Sequence, residues 1–370
     1  MKRLCNCFSN PSLYRESIYK KMDDTFDCDW YFGDNPHDVK LFDTNTLKRV
    51  GFLHVSNAGH RIFCTFGLLR LLFDKRYDDY FMYLSTWDLC AWIFLLLKRF
   101  FFHSKRVSLW CHGWYGKESY WEAKLKRFMY DSVDRIFCYG DYARNLLVNM
   151  GYSGDKVCAI HNSLDYDRQL AIRSKLQTSD IYKQYFKNDN PVLIFIGRQT
   201  KVKRLDLLLE ALYLLREQGH SYNLILVGDG TEQRMLRKIT EEKKMESNVW
   251  FFGACFDEQT NAELIYNADL CVAPGNVGLT AMHTMVFGTP VVTHDSFEYQ
   301  MPEFEAIKAG VTGAFFKYND VNSMAETIVE WFSLHKEDRN QVRESCYQEI
   351  AENWTPDFQL KVIKENLMKY

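Results

Sequence analysis

The sequence predicts an α/β protein built from two Rossmann-like domains, and three observations carry that prediction. Short β-branched or aromatic runs alternate with helix-period segments along the whole chain, the pattern of parallel sheets wrapped by helices. At 370 residues the chain can hold two cores, and 47% hydrophobic against 25% charged residues is the composition of an ordered globular protein. A polar, helical stretch between Asp165 and Asn190, closed by Asn188-Asp189-Asn190-Pro191, interrupts the alternation and marks a boundary. The expected domains are 1–165, joined by a C-terminal helix at 355–370, and 190–354.

In the first half a short strand precedes Asn10, and further strands are expected at 52–55, 80–84, 107–110, 135–139 and 157–160. The second half reads as strand 192–196, helix 205–217, strand 223–227, helix 232–244, strand 249–252, helix 260–267, strand 270–273, helix 279–287 and strand 290–293. Trp354-Thr355-Pro356 then breaks the helical pattern, which resumes over 357–370.

The longest apolar stretch, 89–97 with Phe100, Phe101 and Phe102 beyond it, is cut by Lys98 and Arg99, short of the ~20 residues that a bilayer span needs. It is either a buried helix or a monotopic surface contact in which Lys98, Arg99, His103, Lys105 and Arg106 flank the aromatics. With 46 basic against 48 acidic residues, attraction of the whole molecule to nucleic acid is not indicated. The 11 cysteines show no Cys-x-x-Cys spacing, and no secretory leader is read, so reduced thiols in a cytosolic protein are expected. Cys5 and Cys7 read as ordinary strand residues, not metal ligands.

Three segments carry the chemistry. Residues 274–290 follow a strand, open with Gly275 and Gly278 and lead into a helix, so the amides of Gly278 and Leu279, flanked by Val277 and Thr280, suit a phosphate. Gly197-Arg198, with Lys203 five residues on, ends a strand and precedes a helix, where ligands of open α/β sheets bind. An arginine fork and a lysine point charge fit a diphosphate; read alone, the same residues are a solvated basic loop. Val227-Gly228-Asp229-Gly230 is a tight turn with Gln233 where a third glycine would complete Gly-x-Gly-x-x-Gly, which disfavours a nicotinamide or flavin dehydrogenase.

The 274–290 segment, Gly197-Arg198…Lys203 and the Pro302-Glu303…Gly310…Gly313 loop together resemble the donor-binding motifs of retaining glycosyltransferases of the GT-B fold, the group 1 or family 4 type. The resemblance covers most of the second domain and, more loosely, the first. It implies two Rossmann-like domains facing a central cleft, with the last helix crossing back to the first. It also implies metal-independent transfer of a hexosyl or N-acetylhexosaminyl group from a nucleoside diphosphate sugar, uridine ahead of guanosine, with no other cofactor. The acceptor so implied is a glycan or lipid-linked oligosaccharide in surface polysaccharide synthesis, with a cytoplasmic location and a peripheral contact at the inner membrane face.

Carried onto this sequence, the resemblance gives Arg198 and Lys203 the leaving diphosphate, and His112, in Trp110-Cys111-His112-Gly113, the donor sugar. It puts Gly197, Gly275, Asn276, Gly278, Leu279, Thr280, His283 and Glu305 around the nucleotide sugar. The family usually has two glutamates eight residues apart where Gly275 and His283 stand. A neutral His283 can exchange one hydrogen bond with a ribose, or it is a core residue; at 275, Asn276 or backbone amides would have to substitute. Glu303 and Glu305 are either cleft carboxylates or solvated acids, and Asn10, Arg15 and Asn162 are weaker candidates. A non-catalytic nucleotide-sugar-binding partner and an epimerase or phosphorylase on the same fold are the competing readings.

Overall fold

The computed structural model describes residues 3–34, 40–57 and 62–367. The chain divides into two compact units, residues 1–165 with 356–370 and residues 166–355.

The first unit holds eight strands, β1 (Arg3–Phe8), β2 (Cys28–Gly33), β3 (Val50–Asn57), β4 (Phe63–Phe66), β5 (Tyr77–Met82), β6 (Arg106–Cys111), β7 (Arg135–Cys138) and β8 (Val157–Ala159). They form one sheet in the order β4-β3-β2-β1-β5-β6-β7-β8, parallel except for the antiparallel pair of β3 and β4. Alternate side chains of a strand point to opposite faces, and two cores result. Cys5, Cys7, Tyr80, Leu109 and Ile136 pack on one face; Leu4, Phe8, Trp30, Phe81, Trp110 and Phe137 pack on the other. Helix Pro356–Leu367 places Ile363 in the second of these cores. The Lys21 ammonium meets Asp357 at 2.9 Å, and Gln359 Nε2 donates to the His161 carbonyl at 2.8 Å. The expected continuation of this helix over 368–370 lies outside the described residues.

The second unit is a six-stranded, fully parallel sheet in the order β11-β10-β9-β12-β13-β14. Its strands are β9 (Val192–Ile196), β10 (Asn223–Val227), β11 (Val249–Gly253), β12 (Leu270–Ala273), β13 (Val291–His294) and β14 (Gly313–Phe316). Helices cover it, and all five residues of β9 are buried, so the strand is a continuous apolar run.

Both sheets reverse their strand order once, between β1 and β5 in the first and between β9 and β12 in the second. In open α/β sheets the loops after two such strands diverge to opposite faces and leave a crevice at their carboxyl ends, where ligands bind. Arg15 and Tyr83 follow the strands at one switch point; Arg198 and Asn276 follow them at the other.

Several elements depart from expectation. The strand expected at 80–84 runs over Tyr77–Met82, and β2, β4, β14 and helices Val321–Leu334 and Arg339–Asn353 were not predicted. Helix Leu89–Phe101 buries Cys90, Ala91, Phe94 and Leu95 but exposes Leu89, Ile93, Leu96, Phe100 and Phe101. Three of the cations expected to flank it are committed elsewhere, which corrects that part of the reading. Lys98 is buried and pairs with Asp134 at 2.7 Å. Lys105 Nζ donates to the Tyr77 carbonyl at 2.6 Å and the Tyr80 hydroxyl at 2.9 Å. Arg106 pairs with Asp79 at 2.6 Å.

Candidate functional site

At the switch point of the second sheet, the chain leaving β9 passes Gly197 and Arg198 and makes a 3-10 turn, Lys201–Lys203. The chain leaving β12 passes Gly275, Asn276 and Gly278 before helix Leu279–Met285. Neighbouring strands bring the two loops into contact. The Gly275 amide donates to the Lys203 carbonyl at 3.0 Å. Lys203 Nζ returns across the gap and donates to the Asn276 carbonyl at 2.6 Å and to its Oδ1 at 2.7 Å.

This approach requires glycine at 275, because a Cβ there would sit 2.0 Å from the Val202 carbonyl oxygen and 2.8 Å from Lys203 Cα. The residue standing where the family usually has a glutamate is thus dictated by the basic turn it touches. Gly278, at φ 56° and ψ −152°, occupies a backbone region that side chains essentially forbid, and it turns the chain into the helix. Leu279 and Thr280 stand in the first turn, where backbone N–H groups lack intrahelical acceptors. The preceding amide, of Val277, is already taken by Gln300 Oε1 at 2.9 Å. Thr280 is buried, and its hydroxyl donates to the Ile196 carbonyl at 2.8 Å, fixing the helix start against the end of β9.

Two cations serve this spot by different means. Arg198 is exposed, with no side-chain hydrogen bond or ion pair among the described residues. Lys203 is half-buried, and burial pushes its ammonium down to about 8, with the Glu303 charge opposing and the Arg198 charge reinforcing the shift. It carries its charge at neutral pH and surrenders it in mild alkali. Glu303 is buried within the 3-10 turn Pro302–Ala306, while Glu305, half-buried in the same turn, accepts Lys308 Nζ on its backbone carbonyl at 2.8 Å.

His283, on the same helix, places Nε2 3.1 Å from Glu258 Oε1, which also accepts Gln169 Nε2 at 2.9 Å. Burial raises the Glu258 carboxyl, but the His283 hydrogen bond and charge, with Gln169 and Arg168, outweigh it and hold the group below its usual range. An ionised Glu258 is an acceptor only, so the Nε2 proton points at it and a neutral His283 keeps Nδ1 as a lone-pair acceptor. Asp257 caps helix Glu258–Asn267 by accepting from the Thr260 amide at 2.8 Å, which sets Glu258 in the first turn.

In the first unit His112 follows β6, its ring 5.0 Å from that of Tyr139 and 6.3 Å from that of Tyr115. Its Nδ1 is enclosed and without a partner among the described residues. Burial, with the charges of Arg15 and Lys126, lowers it to about 4, so the imidazole is neutral at physiological pH. Asn162 is buried and accepts from the Ser163 amide at 3.0 Å; Asn10 is buried and accepts from the Ser12 hydroxyl.

Two Asp-x-Asp triplets, of the kind that holds a divalent ion in other glycosyltransferase folds, occur in the chain. Asp27-Cys28-Asp29 is not free for a cation: Asp29 is buried and meets Arg49 at 2.5 Å, Arg76 at 3.5 Å and Arg3 at 3.7 Å. Asp165-Tyr166-Asp167 lies where helix Tyr166–Arg173 begins.

Two family models match the chain: "Glycosyl transferases group 1" over residues 177–349 and "Glycosyltransferase Family 4" over residues 28–168. The chain belongs to the group 1 glycosyltransferases. Among similar proteins, an uncharacterised 41.2 kDa protein of the cps region of Klebsiella pneumoniae is 26% identical over 234 residues, 62% of this chain and 59% of that protein. The putative colanic acid biosynthesis glycosyltransferase WcaL of Escherichia coli is 24% identical over 47% of this chain and 43% of its own. The chain thus spans about half the length of the curated relatives it matches. Among solved structures, Anabaena Alr3699/HepE in complex with UDP superposes over all of both chains at TM-score 0.73 and 15% identity. The lipopolysaccharide outer core galactosyltransferase WaaB superposes over 98% of both at 0.72 and 13%. The fold of this group 1 glycosyltransferase is GT-B.

Sequence reasoning did not find Glu258, Gln169 or Gln300. Glu258 lies 25 residues before His283, and only the register of a capped helix brings the two together. Gln300 acts through a loop with no periodicity to read.

Proposed function

We propose that this chain transfers a hexosyl or N-acetylhexosaminyl group, with retention and without a metal ion, from a UDP-sugar to a hydroxyl of a growing surface glycan. The contact of the Lys203 turn with the Gly275–Gly278 loop, beside the exposed Arg198, carries the reading, because it gathers two cations and a helix start at a ligand-binding crevice. Structures of HepE with UDP and with UDP-glucose, and of TarM with UDP, support uridine as the base. The cps, colanic acid and poly(ribitol-phosphate) relatives support a surface glycan.

In this mechanism the bond from the anomeric carbon to the diphosphate breaks, and the electron pair leaves on the diphosphate under Arg198 and Lys203. The acceptor oxygen bonds to the same face of the sugar, and its proton passes to the departing diphosphate. His112, neutral, faces the donor sugar with a lone pair, and His283 Nδ1 accepts from a ribose hydroxyl in place of the family's glutamate, held in its tautomer by Glu258.

A panel of uridine and guanosine diphosphate sugars, with and without acceptor and with and without chelator, tests this. Acceptor-dependent UDP release that the chelator leaves unchanged is expected. Binding without turnover would favour the second reading, a nucleotide-sugar-binding partner, which the missing side chain at Gly275 keeps in view.

The charge on Lys203 gives the site a pH dependence. Diphosphate affinity is expected to fall as pH rises through about 8, while Lys203→Arg holds it level, as calorimetric UDP titrations from about pH 7 to about 9.5 would show. Stability moves the opposite way. Lys203 is depressed in the fold, so the unfolded chain binds more protons between about 8 and about 10.4, and the ligand-free fold gains stability across that window.

The lipid-facing part of the proposal rests on helices Leu89–Phe101 and Tyr120–Ser132. Ile93, Leu96, Phe100 and Phe101 on one, and Tyr120, Trp121, Leu125 and Phe128 on the other, are exposed. Lys124 lies 4.4 Å from the Tyr120 ring centre and Arg99 5.9 Å from that of Phe128. Aromatics interleaved with cations fit an anionic phospholipid surface. The protein is expected to cosediment with phosphatidylglycerol vesicles and not with phosphatidylcholine vesicles, and the Phe101→Ser, Trp121→Ser variant to lose that binding; equal sedimentation with both vesicles would contradict it.

A further inference from the structure

We propose that the first unit holds its own oxyanion pocket, centred on Arg15, which takes a carboxylate or phosphate group carried by the acceptor sugar; only the word acceptor rests on the transferase reading. Arg15 ends the 3-10 turn Leu13–Arg15 that follows β1, at the point where the order of the first sheet reverses. It is 6% exposed. A cation buried to that degree ordinarily brings a carboxylate with it, yet no carboxylate lies within ion-pair distance of Arg15 among the described residues, and its Nε has no partner.

Aromatic rings stand where the acid would be. The guanidinium carbon lies 5.1 Å from the ring centre of Tyr14, 5.4 Å from Tyr83, 5.5 Å from Trp110 and 5.7 Å from Tyr139. Nη2 donates to the Tyr139 hydroxyl and Nη1 to that of Tyr19 at 3.5 Å, neutral oxygens that leave the charge unbalanced. A second enclosed nitrogen without a partner among the described residues, Trp110 Nε1, belongs to a ring 5.9 Å from Tyr139. A buried guanidinium with an unpartnered Nε and an unpartnered indole N–H beside it is a cost that a fold bears where a ligand completes them.

The chemistry of the missing group follows from the lining. A guanidinium forks a carboxylate or phosphate, and the face of a partly exposed tyrosine packs against the C–H face of a pyranose. Tyr14 and Tyr83, the partly exposed members, form the outer wall, and Tyr83 also lines an adjoining cavity with Ser9 and Ser85. The occupant is an acidic sugar, either a uronate or a sugar phosphate.

Calorimetric titration of the full chain, saturated with UDP, with methyl glucuronide, glucose 6-phosphate and glucose tests the assignment. At least one of the charged sugars is expected to bind about tenfold or more tightly than glucose, and which one does so identifies the oxyanion. Arg15→Gln is expected to abolish that preference without changing UDP affinity, and Arg15→Lys, which keeps the charge without the fork, to retain part of it. Equal binding of all three sugars to the wild-type chain would overturn the pocket, and that outcome needs no variant to fold. Survival of the preference in Arg15→Gln, or a comparable loss of UDP affinity there, would overturn it as well, the latter because the anion would then be the donor's diphosphate. A chain that shows the preference but binds no UDP would refute the donor site and leave this pocket standing.

Discussion

Alanine at both Arg198 and Lys203 is expected to lower UDP affinity by about a hundredfold or more and to remove transfer. Charge-assisted hydrogen bonds contribute about 1.5–3 kcal/mol each, and the two positions supply the side-chain cations of the site. The two contributions are separable. Arg198 is exposed and holds nothing else among the described residues, so Arg198→Ala is expected to leave the melting temperature unchanged and act on the ligand alone. Lys203 also ties the two loops through Asn276. Its removal is therefore expected to cost stability of about 1 kcal/mol in addition to affinity. Calorimetry with UDP beside thermal unfolding of each single variant measures both effects.

Gly275→Ala is expected to damage the site more than a side chain so small would suggest, and Gly275→Glu, which writes the family's usual residue back into the chain, is expected to inactivate it. The Cβ of either would press on the Val202 carbonyl at 2.0 Å, and the obstacle is backbone, which cannot turn aside as a flexible side chain can. Overpacking of this kind costs about 1–3 kcal/mol, here spent on the turn that orients Lys203. Thermal unfolding and UDP titration of Gly275→Ala check this: a variant with native stability and native affinity would show that the loops do not meet as described. Glycine at 275 and the position of the basic turn are one structural choice.

The sequence made the second unit largely legible for a physical reason. Strands buried on both faces, such as Val192–Ile196 and Leu270–Ala273, are unbroken apolar runs, and their bounds were read correctly. Strand Cys28–Gly33 was missed because acids and large aromatics mix within it, its Asp29 buried by arginines distant in sequence. Strand Phe63–Phe66 is a short antiparallel edge without a long run to announce it. The same division holds for the candidate site. Arg198 and Lys203 were legible because each sits a fixed distance from a strand end. The tie from Lys203 to Asn276, the Glu258 carboxylate behind His283 and the aromatic surroundings of Arg15 depend on packing between segments 25 to 124 residues apart in the chain, as the Arg15–Tyr139 bond illustrates. No periodicity reports such contacts.

The most direct measurement is a crystal structure of the full chain with UDP bound. Diphosphate oxygens are predicted within hydrogen-bonding distance of the Arg198 guanidinium, Lys203 Nζ and the amides of Gly278 and Leu279, with the ribose at His283. A diphosphate bound elsewhere, with Lys203 still engaged only by Asn276 and Arg198 turned to solvent, would contradict the assignment of this loop pair as the donor site.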